Sequence, residues 1–157
     1  MNYDQLIRQI NELGNGNQEL GSICFLQQRG ILHQERSCEK CETDMRMSTA
    51  RGTYVWGCKN KRCKAQKGVR TKTWFNNGQQ GSKLPLFTII KFMFWWSVEA
   101  HSVKFCQREL NMCAESTVNF CAYMREVFRS VTYKEKYNRG PHVHCRSRRI
   151  VIFEKKK

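Results

Sequence analysis

Cys38-Glu39-Lys40-Cys41, then sixteen residues, then Cys58-Lys59-Asn60-Lys61-Arg62-Cys63: this stretch decides the reading of the chain. It holds two knuckles, each offering two thiolates. The segment between them is long enough for a β-hairpin. Zn²⁺ takes four soft ligands in a tetrahedron, and four thiolates at this spacing close one without strain. Cys38, Cys41, Cys58 and Cys63 are therefore expected to hold one structural Zn²⁺ in a zinc ribbon. Two other readings stand beside it. One is four unrelated thiols in a chain with nine cysteines. The other is a redox Cys-x-x-Cys, which no surrounding βαβ pattern supports.

The chain has 157 residues, room for one ordinary domain or two to three very small ones. Two prolines and 40% hydrophobic residues point to a folded protein. Met1 to Gln5 lack the basic start and apolar core of a signal peptide, and nine is an odd number for complete pairing. A reducing compartment is the expectation, with four thiols on zinc and five free. The apolar run Phe87 to Val98 is too short to span a bilayer and contains Lys91, so it reads as a buried helix.

The net charge of +15 is spread unevenly. Residues 1–45 carry −3, residues 46–83 carry +10 without a single acid, and residues 134–157 carry +7. Ten cations without an anion on a metal module read as a face for a polyanion. The alternatives are a solvated charged surface and an anionic membrane. The second fits less well, because the charge lies on a knuckle and not on an amphipathic helix.

The fold class expected is a small α+β assembly of modules. A helical segment fills 1–34, a zinc ribbon 35–83, a three-helix unit with a helix-turn-helix 84–132 and a basic tail 133–157. Leu6, Ile7, Ile10 and Leu13 form one stripe, and Gly14 to Asn17 stop that helix. A second helix is expected from Gln18 to Leu32. Strands are expected over Met45–Ser48 and Thr53–Trp56 around Arg51-Gly52, with a third over Val69–Phe75. The polar loop Asn76 to Ser82 reads as a boundary. Pro85 suits the first turn of a helix running to Glu99. Ser102 opens the next helix, and Asn111 sits where a left-handed cap is needed. Ser116 reads as the N-cap of a third helix, with Val118, Cys121, Met124, Phe128 and Val131 inward. Cys106, Cys113 and Cys121 read as small buried hydrophobes. His142, His144 and Cys145 offer ligands too crowded in an extended segment to close a tetrahedron alone.

Several segments together carry a resemblance. They are Gly21-Ser22-Ile23-Cys24-Phe25-Leu26-Gln27-Gln28-Arg29-Gly30-Ile31-Leu32, the cysteine quartet, and Arg70-Thr71-Lys72-Thr73-Trp74-Phe75. Gly81-Ser82-Lys83-Leu84-Pro85-Leu86 and Ser102-Val103-Lys104-Phe105-Cys106-Gln107-Arg108-Glu109-Leu110 continue it. Over residues 20–131 the chain resembles the N-terminal half of Merlin-type DNA transposases and their bacterial insertion-sequence relatives. The resemblance implies a zinc ribbon ending in a threonine-rich aromatic strand, a Ser-Lys-Leu-Pro loop and a helix-turn-helix. The family continues into an RNase H-like catalytic domain whose acids bind two metal ions. Here Tyr133 to Gly140 look like the segment after the family's first catalytic strand, and that strand with its aspartate is missing. Lys72, where the family often has glycine, and the long loop Asn76 to Gln80 are smaller departures.

Two-metal phosphoryl chemistry needs converging carboxylates. The only aspartates are Asp4 and Asp44, and after position 116 the only acids are Glu126, Glu135 and Glu154. The expectation is a non-enzymatic, nuclear, double-stranded-DNA-binding protein. It acts with no membrane and no small-molecule substrate, alone, as a homo-oligomer or with a full-length transposase. Lys59, Lys61, Arg62, Lys64, Lys67 and Arg70 would meet phosphates. Thr117, Asn119, Phe120 and Tyr123 would lie on the outward face of a recognition helix, with Arg125 and Arg129 reaching the backbone. The alternatives are a protein-interaction or repressor module docking through Leu86 to Val98, and a decayed fragment without a selected role.

Overall fold

The computed structural model describes residues 1–73, 75 and 83–138. The expected boundary loop Asn76 to Ser82, the His142, His144 and Cys145 group, and the basic clusters beyond position 145 lie outside the described residues. The element order is α1 (Tyr3–Leu13), α2 (Gln18–Gln28), β1 (Met45–Ala50), β2 (Thr53–Cys58), β3 (Gln66–Gly68), α3 (Leu86–Ser97), α4 (Val103–Leu110) and α5 (Ala114–Asn138). The class is mixed α+β. The chain divides into a compact unit from Asn2 to Leu86 and another from Phe87 onward.

In the first unit, α1 opens with a reciprocal cap. Gln5 N–H donates to the Asn2 side chain at 2.8 Å, and Asn2 N–H donates to the Gln5 side chain at 3.0 Å. Asn17 caps α2 through Leu20 N–H. The two helices bury Leu6 and Ile10 against Ile23, Phe25 and Leu26. Gly21 permits the approach: a Cβ there would stand 1.9 Å from the Ile10 carbonyl oxygen. No side chain fits that crossing.

Two helices here end in Schellman closures, each with one residue in the left-handed region. Asn15 (φ 47°) closes α1, where Gly16 N–H reaches Asn11 O and Asn15 N–H reaches Glu12 O. Gly30 (φ 70°) closes α2 through Ile31 N–H to Leu26 O and Gly30 N–H to Gln27 O. The second helix therefore stops at Gln28 and not at Leu32. Gly30 reads as a closure once its left-handed freedom is weighed against the apolar residues that follow it.

The sheet is antiparallel in order β1-β2-β3. Ala50 pairs with Thr53 across a two-residue turn in which Arg51 (φ 50°) and Gly52 (φ 76°) are both left-handed. That turn matches the right-handed twist of the strands. The third strand is Gln66–Gly68, not Val69–Phe75. After Gly68 the chain turns repeatedly, with Thr71 N–H to Gly68 O, Thr73 N–H to Arg70 O and Lys72 at φ 57°. The Arg36 guanidinium donates to Thr71 O at 2.9 Å and holds this turn. β-branched residues there serve turns, because side-chain hydroxyls compete for the backbone: Thr73 Oγ1 donates to Arg70 O.

Pro85 immediately precedes α3, whose residues from Phe87 to its end at Ser97 belong to the second unit. Glu99 (φ 63°) closes it, with Ala100 N–H to Trp95 O and Glu99 N–H to Trp96 O. Ser102 caps α4 by accepting from Phe105 N–H, and Asn111 ends it at φ 52°, both as expected. α5 begins at Ala114, two residues before the expected cap Ser116. Thr117 N–H already bonds to Cys113 O, so Cys113 occupies the cap position and is exposed. Cys106 and Cys121 are buried, as expected, and Cys113 is not.

The core of this unit joins Ile89, Ile90, Phe92 and Met93 of α3 with Cys106, Leu110, Met112, Cys121 and Met124. Phe92 meets Phe120 edge-on at 5.6 Å, and Trp95 meets Phe105 at 5.1 Å. Burying each large apolar side chain contributes about 1.5–3 kcal/mol. The inward stripe of α5 differs from the expected one at its start. Val118 is 56% exposed, and Thr117 is buried. Thr117 can face inward because its hydroxyl donates to Cys113 O at 3.1 Å, leaving its methyl to the core.

Candidate metal centre

Cys38 and Cys41 lie in the loop before β1. Cys58 ends β2, and Cys63 follows in the turn toward β3. The hairpin register brings the knuckles together: Met45 pairs with Cys58, and Lys59 N–H donates to Asp44 O. All four Sγ atoms lie within 4.8 Å of one another. Cys41 and Cys58 sulfurs are 3.4 Å apart, Cys38 and Cys63 sulfurs 3.7 Å. A regular tetrahedron with bonds of about 2.3 Å to sulfur has edges of about 3.8 Å. The quartet fits one metal ion. A four-thiolate shell leaves no open coordination position, so its chemistry is structural.

Each knuckle is shaped by its backbone. Cys38 N–H bonds to Thr43 O, and Glu42 N–H bonds back to Cys38 O. Cys58 N–H bonds to Ala65 O, and Cys63 and Lys64 N–H both bond to Asn60 O. The residue after the second cysteine of each pair is left-handed, Glu42 at φ 58° and Lys64 at φ 50°. Asn60 builds the second knuckle: its N–H points at Cys58 Sγ (3.4 Å), and its side chain accepts from Arg62 N–H at 3.0 Å. Cysteine spacing alone does not point to Asn60 or Thr43. The signal for Asn60 was its tendency to bond the backbone two residues on.

The thiols do not share charge evenly. Hydrogen bonds from the side chain and backbone of Thr43 hold Cys41 down at about 6. Burial, joined by the neighbouring cysteines, pushes Cys58 up to about 12. Four thiolates cannot all ionise together without a cation among them, which is what a bound metal supplies.

The charged surface around the cluster is less one-sided than its sequence. Glu39 pairs with Lys67 and, at 2.9 Å, with Lys72. The two lysines hold its carboxyl down at about 2. Asp44 lies 3.7 Å from Lys59, and Glu19 lies 3.5 Å from Arg70 while also accepting from Leu86 N–H. Cations from an acid-free stretch are thus paired with acids from the preceding one. Lys61, Arg62 and Lys64 are exposed, and among the described residues no acid lies within ion-pair reach of them.

On α5, Asn119, Arg125 and Arg129 are exposed and Tyr123 is half-buried. Thr117 does not face outward, and Phe120 is half-buried. Thr117 is 1% exposed, and the Phe120 ring lies against Phe92. Thr117 cannot meet a groove from this position, whereas Phe120 keeps part of its surface exposed. Residues expected to act together thus divide between the two units, six on the ribbon side and six on α5.

These features define a small α+β chain with a four-cysteine cluster whose geometry could hold a metal ion. Comparison with protein-family models, curated proteins and solved structures finds no match. Among the described residues no helix is long and apolar enough to cross a membrane.

Proposed function

We propose that the chain is a zinc-bound, non-catalytic, nuclear DNA-binding module derived from a Merlin-like transposase. The observation that carries the reading is the knuckle surface: Lys61, Arg62 and Lys64 project beside the cysteine cluster without acidic partners among the described residues. Cations on a rigid metal knuckle neutralise phosphates without reading sequence. Zn²⁺ matches an all-thiolate tetrahedron of this size. Asn119 is the base reader of choice on α5, because an exposed amide offers a donor and an acceptor to adenine. Arg125 and Arg129 follow it at helical spacing for backbone contacts.

The non-catalytic part rests on ligand chemistry. Two-metal phosphoryl transfer uses oxygen ligands, whereas the cluster here is all sulfur. Asp44 is spent on Lys59, and Glu39 on two lysines. The competing reading, a docking module using α3, is weakened by the burial of Phe94 and the half-burial of Trp95 and Trp96.

The test is binding to element-end and random duplexes at several salt concentrations. Replacing Lys61, Arg62 or Lys64 by alanine should weaken binding to every sequence and reduce the log K against log salt slope by about 0.9 per lost contact. Asn119→Ala should cost on the order of 1–3 kcal/mol on a preferred site and leave the slope unchanged. Absence of salt-dependent binding to any duplex would end the proposal.

A further inference from the structure

The β1–β2 hairpin ends in a tip of two left-handed residues, Arg51 and Gly52. A turn of this kind takes asparagine followed by glycine most easily. Here the first position holds a long cation instead, and it is exposed. The hairpin around it is thin: Ser48, Thr49, Ala50, Gly52 and Thr53 carry nothing longer than a γ atom. We propose that this tip sits at the mouth of the minor groove of duplex DNA with the Arg51 side chain inserted, and that it prefers the narrow groove of A·T-rich sequence.

The contact rests on the DNA-binding proposal and deepens it. It gives the ribbon a sequence preference of its own, whereas the knuckle cations meet only phosphates. Three observations carry it. The first is shape. The minor groove is about 6 Å wide, so only a slender element can approach its floor. Small residues on both sides of the turn let the backbone come up to the groove with one arginine leading. The Thr53 hydroxyl donates to Ala50 O at 2.9 Å and ties the two sides of the tip together.

The second is charge. Among the described residues no acid lies within ion-pair reach of Arg51, nor of Arg46 on β1. Narrow A·T minor grooves have an enhanced negative potential that draws such a side chain in. A guanidinium is more weakly hydrated than an ammonium, so it sheds its water more readily on entry.

The third is reach. The register sets Ala50 opposite Thr53 at the tip and Met45 opposite Cys58 at the cysteine end. Strand steps of about 3.4 Å put these two ends about 17 Å apart. That is about half of one turn of B-DNA, which spans about 34–36 Å. The tip and the Lys61, Arg62 and Lys64 knuckle can therefore lie along one duplex at once, the knuckle on phosphates and the tip in the groove.

The test uses the full chain with zinc bound and three duplexes that differ only in a central run of A·T, G·C or inosine·C pairs. Inosine removes the guanine amino group from the minor groove and leaves the major-groove pattern of G·C in place. The A·T and inosine·C duplexes should bind about equally, and the G·C duplex about tenfold more weakly, the scale of one base-edge contact. Arg51→Asn suits the turn at least as well as arginine does, so the thermal midpoint should hold. The preference should nevertheless fall to within about twofold, since the inserted cation is gone. Replacing Lys61, Arg62 and Lys64 together should weaken all three duplexes alike and keep the ratio between them. Equal binding of all three by the unaltered chain, an inosine·C duplex that behaves like G·C, or a preference that survives Arg51→Asn would overturn the tip contact while salt-dependent DNA binding stands. Absence of salt-dependent binding to every duplex would overturn the DNA-binding proposal and the tip contact together.

Discussion

The sheet around the cysteines and the helices after Phe87 are held together by different means. The three strands span six, six and three residues, and Met45 and Trp56 are their buried apolar side chains. The helical unit instead buries a set of large side chains from three helices. A short sheet with so little apolar burial cannot offset the entropy of ordering its backbone. Four cysteine sulfurs within 4.8 Å of one another could supply the difference by holding a metal. The helical unit has no such need. The contrast teaches that one region of a chain can rest on its apolar core while another, with little apolar burial, gathers the ligands for a metal instead.

The largest effect should therefore follow metal removal. Binding free energies of about 10–16 kcal/mol are tied up in structural zinc sites. A strong chelator, or Cys58→Ser, should abolish the amide-exchange protection of β1 to β3 while the protection of α3 to α5 persists. Loss of protection in all eight elements together would show that the metal holds the whole chain and break the comparison.

Next come substitutions in the two cores. Phe92→Ala should cost about 3–5 kcal/mol in the helical unit and leave one metal per chain. Gly21→Ala drives a Cβ into the Ile10 carbonyl and should cost about 1–3 kcal/mol or more, again without metal loss. Denaturant unfolding with parallel metal analysis measures both. A loss of metal in Phe92→Ala would mean that the two regions are energetically coupled. Glu99→Gly should be smaller and opposite in sign, a gain of about 1 kcal/mol from relieving a left-handed non-glycine residue.

The smallest effect on stability should come from Glu39→Gln, since Glu39 and Lys72 are exposed and water screens the pairs. Its consequence for binding is larger. Above its ordinary pKa the carboxylate occupies Lys67 and Lys72. Removing it should release both, raising DNA affinity and steepening the salt slope by up to about 0.9 per lysine recruited. An unchanged slope would mean that these lysines face away from the DNA.

The sequence carried the four-cysteine cluster, because cysteine spacing states a geometry directly. It carried Asn111 and the Arg51-Gly52 turn, because left-handed positions restrict residue choice. It was silent where side chains act against their class. Thr117 looked like a surface residue until its hydroxyl found Cys113 O. Val69 to Thr73 had strand composition and became turns once Arg36, thirty-five residues earlier, took up Thr71 O. The charge run over residues 46–83 looked like one unbroken basic face. Glu19, Glu39 and Asp44 come from outside that run, and only folding brings them beside it.

The central claim is that Cys38, Cys41, Cys58 and Cys63 hold one metal ion that organises the sheet. Native mass spectrometry with elemental analysis of the purified chain tests it directly. The account predicts one zinc per chain, lost in each of the four single cysteine-to-serine variants and retained in Cys24→Ser and Cys113→Ser. A metal-free chain whose sheet stays protected from exchange would contradict it.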